Sequence, residues 1–87
     1  MKMVNQRYEF VPPDGDPADP IVISGLQEYA PGQQRKVDVW TIEVPQALRG
    51  ALADGWECRS YAEVTRMLAH AFFNGDESLV SMRDGKA

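Results

Sequence analysis

Within "VDVWTIEV", Val37 to Val44, the residues from Trp40 onward alternate apolar with polar and then stop at Pro45. Strict alternation over this length is the period of a β-strand, whose successive side chains point to opposite faces. Trp40, Ile42 and Val44 therefore share one face and Val39, Thr41 and Glu43 the other. The first face must be buried, so the chain has to supply a sheet and something to cover one side of it.

Two further runs carry the same period. "QRYEFV" sets Tyr8 and Phe10 against Arg7 and Glu9, and "IVISGLQEY" resumes from Ile21 with β-branched residues. Gly25 interrupts the latter, as glycines do at bulges. Between these runs lies "PPDGDPADP", an acidic loop over residues 12–20 without apolar periodicity. Pro31-Gly32 suits a type II turn, since proline presets the first central residue and glycine accepts positive φ at the second. A hairpin over the second and third strands follows.

Two helices are expected next. Pro45 suits a first helical position, Leu48, Ala51 and Leu52 recur at helical spacing, and Gly55 offers a C-terminal cap. "SYAEVTRMLAHAFFNG" carries the stronger signal. Ser60 and Glu63 form a capping-box pattern in which Glu63 returns to the Ser60 N–H. Val64, Met67, Leu68, Ala71 and Phe72 form an apolar stripe, with Glu63, Arg66 and His70 opposite, and Asn74-Gly75 ends the helix. Residues 83–87 read as a flexible tail. The expected architecture is α+β: a small antiparallel sheet of about three strands followed by two helices packed on one face, in a single domain over residues 1–87.

Composition narrows the function classes. One cysteine, Cys58, excludes an internal disulfide, and neither a signal sequence nor a bilayer-length apolar run is evident, so a cytoplasmic protein is expected. The net charge is −4 and the pI about 4.8, with the basic residues scattered. That balance favours a protein partner with a basic surface over nucleic acid.

His70 stands alone, with no second nitrogen or sulfur ligand at zinc spacing, and Cys58 has no base placed against it by any motif. Prolines break the register a calcium loop would need from Asp14, Asp16 and Asp19. No glycine-rich phosphate loop joins a strand to a helix. Neither metal, cofactor nor catalysis is expected.

The segment "VDVWTIEVPQALRGAL" followed by "RSYAEVTRMLAHAFF" resembles the ribbon-helix-helix family of small dimeric repressors and antitoxins. The resemblance implies that the strand pairs with a second copy in the major groove. Val39, Thr41 and Glu43 would then face bases, while N–H groups at Ser60 and Tyr61 approach a phosphate. In overall character the chain also resembles the small acidic inhibitors that phages encode against host defence, anti-CRISPR proteins among them. That resemblance implies a noncatalytic module binding through surface acids and aromatics: Asp14, Asp16 and Asp19; Asp54, Trp56 and Glu57; Phe73, Asp76 and Glu77.

Overall fold

A computed structural model describes residues 2–29 and 36–85. The chain forms β1 (Lys2–Phe10), β2 (Ile21–Tyr29), β3 (Lys36–Glu43), a 3-10 turn (Gln46–Leu48), β4 (Trp56–Cys58), α1 (Tyr61–Phe72), a second 3-10 turn (Glu77–Leu79) and β5 (Arg83–Asp84). All the strand pairs are antiparallel, in the spatial order β4-β3-β2-β1-β5. The Pro31-Gly32 turn lies outside the described residues, but the hairpin register around it runs from Tyr29 opposite Lys36 to Val22 opposite Glu43. No helix among the described residues is long and apolar enough to cross a membrane.

The expected three strands and two helices are corrected to five strands and one α-helix among the described residues. Leu48, Ala51 and Leu52 have helical spacing, yet only one 3-10 turn forms there, closed by Leu48 N–H donating to the Pro45 carbonyl at 2.9 Å. Gly50 sits where a helix needs its middle, and a segment this short lacks the length to propagate. Instead the chain turns back. Gly55, at φ 77°, donates its N–H to the Ile42 carbonyl at 2.9 Å, and "WEC" then pairs with β3 as β4. Of the expected flexible tail, Arg83 and Asp84 pair with Glu9 and Tyr8 as an edge strand, while residues 86–87 lie outside the described residues.

One face of the sheet carries the core. Phe10, Ile21, Ile23, Ile42 and Val44 meet Val64 and Leu68 of α1, with Leu52 and Cys58 closing the sides. The ring of Phe10 takes the centre, 5.7 Å from that of Phe72 and 6.0 Å from that of Phe73. Each such side chain fully withdrawn from water contributes about 1.5–3 kcal/mol, which is why the apolar alternation dictates the fold. Tyr8 and Trp40 extend this layer and, with Tyr61, form an aromatic trio at centroid distances of 5.3–6.2 Å.

Gly25 does mark an irregularity, though not in its own strand. The extra residue is Asn5 in β1, between Val4 and Gln6. The glycine is needed for another reason: a Cβ there would lie 2.8 Å from the Trp40 ring, which crosses directly over it.

The start of α1 follows the sequence closely. Ser60 is the N-cap, its Oγ accepting from Glu63 N–H at 3.1 Å. Glu63 reaches back as expected, but to the Arg59 N–H at 3.2 Å in place of the Ser60 N–H. At the other end Asn74 takes φ 56° and Gly75 donates to the Ala69 carbonyl at 3.0 Å, a left-handed termination.

Candidate functional site: an acidic end of the sheet

The topology gathers carboxylates that are distant in sequence. Phe10 lies opposite Ile21, so the loop carrying Asp14, Asp16 and Asp19 leaves from one end of the sheet. β3 finishes at the same end with Glu43, and the connection to β4 brings Asp54 there. α1 runs back over the sheet until Phe72 and Phe73 meet Phe10, which delivers Asp76 and Glu77 to that end too.

Asp19, Glu43 and Asp54 line one open depression with Arg49, Val22 and the prolines Pro20 and Pro45. Two arginines reach this end, and both are paired. Arg49 lies 3.4 Å from Asp54, and Arg83 is 2.9 Å from Glu9 while also donating to the Pro17 carbonyl at 3.0 Å. The remaining carboxylates face solvent without a basic partner among the described residues, so one end holds the negative surplus behind the net charge of −4.

Local turn chemistry fixes where these acids point. In the 12–15 turn, Gly15 N–H donates to the Pro12 carbonyl at 2.9 Å and Asp14 occupies φ 62°, a conformation that aspartate tolerates better than most residues. The Asp16 carboxylate accepts from Ala18 N–H at 2.9 Å, and Asp76 accepts from the Ser78 N–H and, at 2.6 Å, from its hydroxyl. The Asp16 and Asp76 turns each use one carboxylate oxygen, Oδ1, and leave the other to solvent. Asp54 is different. Its Oδ1 accepts from Val44 N–H at 2.8 Å and its Oδ2 pairs with Arg49, whose Nε donates to the Val44 carbonyl at 3.1 Å. This carboxylate clamps the 44–55 connection to the end of β3.

The other residues singled out in the sequence are dispersed. Glu57 faces the opposite side of the sheet, across from Thr41. Trp56 is 49% exposed and borders an apolar groove with Leu52, Met67, His70 and Ala71. Phe73 is half-buried and packs edge-on against Phe10 at the margin of the core, because the chain turns inward where the helix ends.

Val39, Thr41 and Glu43 do share a face, but β3 is paired to β2 along its whole length and to β4 on its other edge. It has no free edge at Trp40–Ile42 to offer a second copy. Ser60 Oγ caps α1 and the Tyr61 ring leans on Tyr8 and Trp40, contacts that do not involve the backbone N–H groups which the resemblance aims at a phosphate. The residue missed as a member of the acidic end is Glu43, whose signal was its place as the last residue of a strand that antiparallel pairing returns to the loop.

Cys58 is 1% exposed, with its Sγ 3.1 Å from the Met67 sulfur. Burial, and secondarily the charge of Glu63, raises its pKa above the ordinary thiol value. That is the opposite of what an activated nucleophile needs. Among the described residues no group of three acids, histidines or cysteines is placed to hold a metal ion.

Comparison with protein-family models, with curated proteins and with solved structures finds no match for the chain.

Proposed function

We propose that the protein is a small noncatalytic binding module of the cytoplasm. Its acidic end occupies the basic surface of a nucleic-acid-handling protein, in the manner of phage- or mobile-element-encoded inhibitors such as anti-CRISPR proteins. The observation that carries this reading is the convergence of the acids of the 11–20 loop, the end of β3 and the 74–77 turn at one end of the sheet, with the nearby arginines already paired. Concentrated potential of one sign steers encounter with a surface of the opposite sign and disfavours nucleic acid, whose phosphates it repels. The ribbon-helix-helix alternative has no comparable support, since β3 is an interior strand.

The test is affinity capture from a host-cell extract, with bound proteins and nucleic acids both identified. Wild type is expected to retain a basic, nucleic-acid-handling protein at low salt and release it at high salt. The Asp14→Asn, Asp16→Asn, Asp19→Asn variant keeps turn-compatible side chains and is expected to lose that protein. Equal retention by both forms, or direct capture of nucleic acid, counts against the proposal.

A further inference from the structure

The helix covers one face of the sheet, and the other carries charges that the acidic end does not use. On that second face the register aligns a row across four strands: Arg7 opposite Ser24, Ser24 opposite Thr41, and Thr41 opposite Glu57. None of these residues belongs to the hydrophobic core or packs against it, yet Arg7, Ser24 and Thr41 are half-buried within the sheet surface. The row is polarised, with its cation on β1 and its carboxylate on β4. Arg7 Nε is withdrawn from solvent without a hydrogen-bond partner, and no carboxylate among the described residues pairs with its guanidinium. Glu57 is exposed and unpaired among the same residues.

We propose that this face is a homodimer interface. Two copies pack sheet against sheet about a two-fold axis that runs parallel to the strands between β2 and β3. That axis exchanges β1 with β4 and β2 with β3. It places the outer nitrogens of Arg7 over Glu57 of the second copy, and Ser24 over the second copy's Thr41, each twice by symmetry. A two-fold axis perpendicular to the strands would instead set arginine over arginine, so the charge pattern selects the first arrangement. Face-to-face sheets lie about 10 Å apart with strands within about 30° of each other, a spacing that an arginine and a glutamate span together.

The axis sets β2 and β3 over each other along their length but gives β1 only the three residues of β4 to meet, so at a strand spacing of about 4.8 Å and a rise of about 3.4 Å per residue the overlap is roughly 350 Å² per copy. The pair therefore buries about 700 Å², below the size of stable interfaces, so the dimer is weak, concentration-dependent and sensitive to salt. Because the axis preserves strand direction, both acidic ends emerge on the same side of the dimer. Val22 and Glu43 border the acidic depression and also lie at the rim of this second face, so the two surfaces meet there; self-association of the chain is nonetheless read out separately from capture of a basic partner.

The experiment is sedimentation equilibrium from micromolar to millimolar concentration, with circular dichroism to show that each variant is folded. Wild type is expected to dimerise across that range. Arg7→Glu and Glu57→Arg are each expected to be monomeric, their equimolar mixture to form a heterodimer, and the double swap R7E/E57R to recover self-association. A monomeric wild type at millimolar concentration overturns the proposal. So does a wild-type dimer unaffected by either swap, or folded single variants that fail to associate when mixed.

Discussion

At the scale of single residues, Gly25 and Cys58 show how little room the sheet leaves. The Trp40 ring lies where a side chain at residue 25 would begin. Gly25→Ala is expected to destabilise the fold by about 1–3 kcal/mol, the usual cost of overpacking, as measured by urea denaturation. The loss should shrink in a Trp40→Leu background, because the offending ring is gone. Cys58 makes a pH statement. Its folded-state pKa is raised from the ordinary value of 9.0, as is that of Tyr61 from 10.0, in each case chiefly by burial. The neutral forms are therefore favoured by folding. Their contribution is fully present below the unfolded-state values and is lost as pH rises through the folded ones. Urea midpoints are expected to fall above about pH 9, and the fall should be smaller in Cys58→Ala once each variant is referenced to its own neutral-pH midpoint. A pH-independent midpoint up to pH 10 would refute that account of the thiol.

Elements differ in how openly the sequence declares them. β1, β2, β3 and α1 are long enough for a period to show: Tyr8 and Phe10, Ile21 and Ile23, Ile42 and Val44, and the stripe from Val64 to Phe72 all turn toward one core. β4 and β5 have three and two residues, too few for any period, and they exist because β3 and β1 offer edges at the right height. The misread helix has the same origin. Leu48, Ala51 and Leu52 have helical spacing, but only Leu52 becomes buried, and the connection is set by long-range bonds from Asp54 and Gly55 that composition does not announce. Asp54→Ala removes both the acceptor for Val44 N–H and the partner of Arg49. It is expected to cost about 1–3 kcal/mol, with β4 amides losing hydrogen-exchange protection before those of α1. Ser60→Ala, which removes the helix N-cap, is expected to cost about 1 kcal/mol by the same denaturation measurement.

Across the whole molecule, the acidic end proposed for docking is assembled by where the turns sit. The three aspartates of residues 12–20 were visible as an acidic loop in the sequence. Their convergence with Glu43 and with the Asp76 turn was not, because it depends on antiparallel pairing and on α1 running back to Phe10. Aromatic residues misled in part for a related reason: Phe73 follows the helix and looks free, yet the turn at Asn74 folds it against the core. Asn74→Ala tests that termination and is expected to cost about 1–2 kcal/mol, the penalty for placing a residue without a compensating side chain in the left-handed region.

The central claim, that the acidic end is an electrostatic docking surface, is tested most directly by the association rate with the captured partner over a range of ionic strength. The account predicts a fast wild-type rate at low salt that falls steeply as salt is added, and a slower, flatter profile for the triple Asp14, Asp16, Asp19 to asparagine variant, with dissociation less affected. Coincident profiles for the two proteins would contradict it.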